Sequence, residues 1–323
     1  MKTRRLGRTG LPVSEIGFGA WGIGAAQWIG ARDEESLRAL HRAVDLGVNF
    51  VDTALAYGDG HSETLVGRLV RERRETVYVA TKVPPKNETW PAPRGVPVSE
   101  TYPAAHIVRS AERSLRNLGL DRIDLLQLHT WRDEFLDEDG WRDALAGLKA
   151  QGKVRAVGVS VNDHDPGSAV RAVASGLFDT VQVIYNVFDQ TPEESLLPLC
   201  QRHDVGVLAR VPFDEGGLTG TITPETTFPP GDWRHLYFKG DRKRQVWERN
   251  QALGALLGRE AQTLPELALR FCLAHEAVST VIPGMRRVQS VEANAAVSDG
   301  RRLSPALRAE LKKHAWTRNF YPE

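Results

Sequence analysis

Short runs of aliphatic and β-branched residues alternate with amphipathic stretches from one end of this chain to the other. The apolar runs predict strands over residues 15–20, 49–54, 77–83, 123–130, 154–161, 180–186, 205–213 and 278–284. Between them, segments such as "DEESLRALHRAVDLG" and "SAERSLRNLGL" carry apolar residues at helical spacing and close on Gly or another turn-prone residue. Strict alternation of this kind implies parallel strands joined by right-handed crossover helices. Eight units at intervals of roughly 30 to 40 residues predict an α/β fold, a (β/α)8 TIM barrel, with an open doubly wound sheet as the alternative. Residues 4–14 predict an N-terminal hairpin turning at "GRTG" and covering the bottom of the barrel. Extra helices are expected between strands seven and eight and over residues 303–316. No low-complexity linker interrupts the pattern, so residues 1–323 are read as a single domain.

Composition narrows the function classes. The 323 residues hold 42 Lys and Arg against 41 Asp and Glu, a net charge of +1, which leaves no electrostatic footprint for nucleic acid or another polyanion. The two cysteines, Cys200 and Cys272, lie in apolar helical patterns without a partner motif and read as buried free thiols of a reducing compartment. "MKTRRLGRTG" is not followed by an apolar run, and no stretch approaches the roughly 18 apolar residues of a membrane span. A soluble cytoplasmic protein is expected, monomeric or weakly homo-oligomeric. The Asn87 acceptor sequence "NET" carries no meaning without a secretory signal. In "GFGAWGIG", Gly17, Gly19 and Gly22 match a dinucleotide-binding spacing, yet the strand before them is not followed by the helix that such a turn requires.

The predicted strand ends are unusually polar. Strand two ends in Asp52 with Tyr57 shortly after, strand three in Lys82 and strand four in His129; strand five ends in Ser160 with Asn162 beyond. Strand six carries Gln182 and Asn186, and strand seven Arg210. Each alone is most simply a turn former, a helix cap or a solvated rim charge. Together, on adjacent strands of a barrel, they face one mouth, where such folds carry their chemistry. Their types suit carbonyl reduction. No side chain gives hydride, so a nicotinamide must supply it. An ammonium beside a phenol stabilises the phenolate and lowers the phenol's pKa from its ordinary value near 10, an aspartate holds the ammonium, and an imidazole hydrogen-bonds the carbonyl oxygen.

The chain resembles the aldo-keto reductase superfamily over nearly its whole length. "RRLGRTGLPVSEIGFGAWGIG" is similar to the family's opening, "FVDTALAYGDGHSETLVGRLV" to its Asp and Tyr segment, "VATKV" to its Lys strand and "LLQLH" to its His strand. "GKVRAVGVS" and "VIPGMRRVQSVEAN" resemble its nicotinamide- and adenosine-contacting segments. The resemblance implies Tyr57 as general acid, Lys82 and Asp52 as its tuning pair, and His129 as the carbonyl-orienting donor. It implies that Ser160, Asn162 and Gln182 bind the carboxamide, with Gly19, Ala20 and Trp21 beside the nicotinamide. The segment from Arg210 through Pro212 and Phe213 to Gly217, Leu218 and Gly220 would line the ring and cover the pyrophosphate. Gly284, Arg286, Ser290 and Asn294 would receive the adenosine end. The glycine spacing then serves a barrel and its match to a Rossmann turn is accidental.

Three positions depart from the family pattern. Arg210 stands where many relatives stack an aromatic ring on the nicotinamide, Ser290 where they carry Gln or Arg, and Val161 separates Ser160 from Asn162 where some have Ser and Asn adjacent. Arg286 and Arg287 favour NADP over NAD, because a guanidinium grips a 2′-phosphate. Trp21, Trp28, Trp90 and Trp131 suggest an aromatic-walled pocket for a sugar-like or aromatic carbonyl compound, shaped by the Pro-rich segment after Lys82. Two rival readings remain: a Schiff-base lyase or aldolase using Lys82, and a nicotinamide-binding regulatory subunit. A metal-dependent hydrolase is disfavoured, since only His129 of the nine histidines sits at a strand end.

Overall fold

A computed structural model describes residues 1–316 and 318–321. Its strands are β1 (Thr3–Arg5), β2 (Pro12–Ser14), β3 (Phe18–Gly19), β4 (Phe50–Asp52), β5 (Tyr78–Val83), β6 (Ile123–Trp131), β7 (Val154–Val161), β8 (Thr180–Ile184), β9 (Gly206–Arg210) and β10 (Val278–Val281). Strands β3 to β10 form one sheet in sequence order, every neighbouring pair parallel. The two ends of that sheet meet. Gly17 N–H donates to Val281 O (2.8 Å), Gly19 N–H to Pro283 O (2.9 Å) and Val281 N–H to Glu15 O (2.9 Å). The fold is a (β/α)8 barrel, and the open doubly wound alternative is excluded.

Closure explains Gly19 of the opening motif. A Cβ on Gly19 would stand 2.6 Å from Ile282 O and 2.9 Å from Pro283 O, so only glycine lets the first and last strands approach this closely. The chain then enters a short 3-10 turn, Trp21–Ile23, rather than a phosphate-binding helix.

The hairpin of β1 and β2 plugs the barrel floor. Its Leu6, Leu11 and Val13 form one buried cluster with Phe50, Ala80, Leu125, Ala156, Leu208 and Ile282, the inward residues of the lower strands. Because strand side chains alternate with period two, the next inward positions are Asp52, Lys82, Gln127 and Arg210, so the interior turns polar one layer up. The helices bury their apolar stripes against the outside of the sheet, as Leu37, Leu40, Ala43 and Val44 do in helix Asp33–Asp45. Cys200 and Cys272 are buried thiols, and burial pushes Cys200 up to about 12.

Several strands are shorter than their apolar runs. β9 stops at Arg210 because Val211 has φ +53° and Pro212 follows; β8 stops at Ile184 because the Asn186 carboxamide oxygen accepts from Phe188 and Asp189 N–H (2.9 Å each) and turns the chain. The final helix covers Pro305–Lys312, capped by Ser304, where 303–316 is expected. Helices Trp233–Tyr237, Arg242–Gly254 and Leu264–Leu273 fill the β9–β10 connection. No helix among the described residues is long and apolar enough to cross a membrane.

Gly19→Ala is expected to destabilise the protein by about 2 kcal/mol through overpacking at the seam. Gly284→Ala, with no atom within 4 Å of the added Cβ, should leave the denaturation midpoint nearly unchanged. Equal midpoints for the two variants would refute the seam assignment.

Candidate active site

The polar layer converges on one ammonium. Lys82 is fully buried, and its Nζ donates to Asp52 Oδ2 (2.6 Å), Thr53 O (2.7 Å) and the Tyr57 hydroxyl (3.1 Å). The other Asp52 oxygen accepts from Gln182 Nε2 (2.7 Å) and, at 3.4 Å, from Gln127 Nε2. Burial presses the Lys82 pKa down, but Asp52 and Tyr57 outweigh it and hold the ammonium above its ordinary range. Burial likewise dominates at Tyr57 and raises its phenol, while Lys82 pulls it back only in part. The lowering expected from sequence is therefore present as an opposing influence and is not the net outcome in the free protein.

The His129 ring stands edge-on to Tyr57, with centroids 6.2 Å apart, and its Nδ1 is buried without a partner among the described residues. Burial, with Lys82 and Arg210 adding repulsion, holds the imidazole well below its ordinary pKa, so it is neutral. An acid-capable phenol, a charged stabiliser and a neutral imidazole thus meet at one end of the barrel. This set can deliver a proton and stabilise a developing oxyanion.

The remaining expected residues fall into two groups. Ser160 is buried with its hydroxyl unpartnered among the described residues, at the level of Gln182 in the sheet register; both suit a carboxamide. Trp21 packs against Tyr57, Trp28 and Trp233, and Trp90 stands over His129 and donates to its carbonyl (3.1 Å). Arg286 donates to Ile29 O (3.0 Å), and burial, then Arg234 and Arg287, lower its guanidinium pKa. Gly284 is exposed, Ser290 half-buried and Asn294 buried in helix Val288–Ala296. Pro212 is buried and Phe213 half-buried on the turn leading to Gly217 and Gly220, where Asn250 Nδ2 donates to Gly217 O (2.6 Å).

Three assignments need correction. Trp131 does not reach the mouth: it is fully buried against Phe135, Trp141 and Phe178, since it lies on the helix-facing side of β6. Asn162 spends its amide on the Pro-rich loop, donating to Ala92 O (3.1 Å) and accepting from Ala92 N–H (3.2 Å) and the Thr130 hydroxyl. The Leu218 N–H is committed to Phe213 O (2.8 Å) and is not a free donor to a phosphate. Arg210 is held by Val161 O (2.9 Å) and Asp163 (2.7 Å), a partner that sequence reasoning missed. Gln127 was missed too, although the period-two row Leu125, Gln127, His129 contains its signal.

With this geometry in place, comparison with known proteins is decisive. The Aldo/keto reductase family profile matches residues 15–315. The chain belongs to this family. It is 32% identical to aldo-keto reductase YhdN of Bacillus subtilis over 91% of this chain and 87% of that protein. It is 30% identical to the NADH-specific methylglyoxal reductase of Escherichia coli over 92% and 93% of the two chains. An aldo/keto reductase from Klebsiella pneumoniae, solved in complex with NADP and acetate, superposes with a TM-score of 0.69 at 29% identity, covering 98% of this chain and 97% of that one. The chain is an aldo-keto reductase family enzyme, an oxidoreductase whose homologues use NADP or NADH.

Because the folded imidazole of His129 binds its proton only well below the ordinary pKa of about 6.5, the unfolded state holds the extra proton as pH falls through 6.5. Stability is therefore lost from that point down to the folded pKa. A histidine NMR titration should find the His129 ring still neutral at pH 6; protonation near 6.5 would refute this.

Proposed function

We propose that this family member reduces an aldehyde or ketone to the alcohol with NADPH, Tyr57 giving the proton. The observation that carries the reading is the Lys82 ammonium bonded at once to Asp52 and Tyr57. A raised phenol stays protonated at neutral pH and so is loaded as the donor. As the proton leaves for the carbonyl oxygen, the phenolate forms 3.1 Å from an ammonium that Asp52 keeps charged. Neutral His129 is suited to hydrogen-bond the same oxygen. A nicotinamide supplies the hydride when bound.

The unpartnered Ser160 hydroxyl and Gln182 suit the carboxamide, and Gly19, Ala20 and Trp21 the side of the ring. At the adenosine end, Arg286 lies near Arg287 and near Arg234, itself paired with Asp232, and half-buried guanidinium groups there suit an anion. This supports NADP over NAD through a 2′-phosphate, and the Klebsiella relative was solved with NADP, although the Escherichia coli relative is named NADH-specific. Trp21, Trp28 and Trp90 suit the walls of a pocket for a sugar-like or aromatic carbonyl compound. Lys82 does not suit a Schiff-base nucleophile: it is fully buried, and its pKa is raised when a nucleophilic amine needs it lowered.

Tyr57→Phe should lower kcat by about a thousandfold, the scale of lost general acid catalysis, while fluorescence titration gives an unchanged NADPH Kd. Retained turnover would overturn the role of Tyr57. Arg286→Ala should raise the Kd for NADPH about tenfold and leave that for NADH unchanged. Equal effects on both nucleotides would remove Arg286 as the 2′-phosphate contact.

A further inference from the structure

In the polar layer of the barrel, Asp52 and Lys82 serve the proton donor, and the remaining charge, Arg210, does not. Arg210 ends β9, and its side chain is only 15% exposed. Nη2 donates to Val161 O (2.9 Å) and to Asp163 Oδ1 (2.7 Å), which ties the guanidinium to the end of β7, one residue past Ser160. Nε is buried and has no hydrogen-bond partner among the described residues. Burial presses the guanidinium pKa down, but Asp163 outweighs it and holds the group above its ordinary range, so it is charged.

This ion pair is oriented. Asp163 borders an outer cleft with Pro91, Arg132 and Asp165. The charge of Arg210 acts inward, on the Tyr57 phenol and, with Lys82, on the His129 ring, where no carboxylate offsets the two cations. Tyr57 and His129 hold the carbonyl oxygen in the reductase reading, on which the inference rests. Proton and hydride end on the two atoms of that one carbonyl, so the nicotinamide has to reach the space these two groups face. Ser160 and Gln182, on the neighbouring strands β7 and β8, suit its carboxamide and bring it to the side where β9 presents Arg210. The ring is neutral when reduced. Giving hydride to the carbonyl carbon removes a proton and two electrons and leaves the ring one unit more positive. A fixed cation on that side therefore acts on one redox form and hardly on the other.

We infer that Arg210, held by Asp163, discriminates between the two redox forms of the nucleotide by weakening the oxidised one. The equilibrium between the free reactants is untouched, since a catalyst cannot move it. What changes is the bound nucleotide, whose potential rises and whose spent form leaves sooner after each turnover.

The test is the ratio of the Kd for NADP+ to the Kd for NADPH, each measured by calorimetric titration without substrate. The two nucleotides share their adenosine and pyrophosphate, so the ratio isolates the ring charge. At about pH 6 the nearby Glu215 carboxyl, which burial pushes up to about 7, is mostly protonated and does not offset Arg210. Arg210→Met should lower the ratio about tenfold, and Arg210→Lys, which keeps the charge, should hold it within about twofold of the wild type. Asp163→Asn removes the opposing charge and should raise the ratio about threefold. Damage to packing would not move the two variants in opposite directions. An unchanged ratio in Arg210→Met, or a ratio that does not rise in Asp163→Asn, would overturn the inference; if Arg210→Met does not fold, the sign in Asp163→Asn decides. The NAD+ to NADH ratio serves equally if NADPH is not the preferred nucleotide, and no binding of either pair overturns both readings. Ratios that shift as stated in a protein that turns over no carbonyl compound defeat the reductase reading and leave the Arg210 assignment standing. Turnover with unmoved ratios does the reverse.

Discussion

An ammonium without water needs fixed partners, and the interior of this barrel is arranged around that need. Lys82 projects from β5 into the layer above the apolar floor, where no solvent reaches it. Asp52 on β4 neutralises it, the Thr53 carbonyl takes a second donor, and Tyr57 takes the third. Removing one partner of such a buried pair typically costs about 3–5 kcal/mol, because the remaining charge is stranded. The amides of Gln182 and Gln127 extend the arrangement to β8 and β6 by occupying the second Asp52 oxygen. Four strands are thereby tied to one charge, and the phenol that ends the network sits where the barrel opens.

The same network divides labour between floor and mouth. Below it, the hairpin residues Leu6, Leu11 and Val13 seal an apolar cluster that excludes water from underneath. Above it, Trp21 and Trp90 stand over Tyr57 and His129. With low polarity on both sides, each charge in the layer acts strongly on its neighbours. Burial alone would neutralise Lys82 and does neutralise His129; the difference between them is that only Lys82 has a carboxylate at hydrogen-bond distance.

Short apolar runs alternating with amphipathic stretches made the barrel legible in the sequence, and polar residues ending those runs made Asp52, Lys82 and His129 legible as a group. What sequence could not supply was the direction of side chains near strand ends. Trp131 looked like a mouth residue because it follows His129 closely, yet the sheet register shifts between those two positions and Trp131 joins the outer layer. Asn162 looked free because nothing local claims its amide; its partner Ala92 lies 70 residues away in a Pro-rich loop without periodicity. Long-range pairs such as Arg210 with Asp163 leave no trace in spacing, since both residues are placed by different strands.

The seam between β3 and β10 also has a consequence for how the molecule is made. Gly19 pairs with Pro283 and Gly284, so the first barrel strand waits for nearly the entire polypeptide before it has a neighbour on that side. During synthesis β3 can pair with β4 soon after both emerge, yet its other edge stays open to solvent and to other chains. The barrel therefore closes only once β10 has emerged, and until then the outer edge of its first strand is the edge that must be kept from other chains.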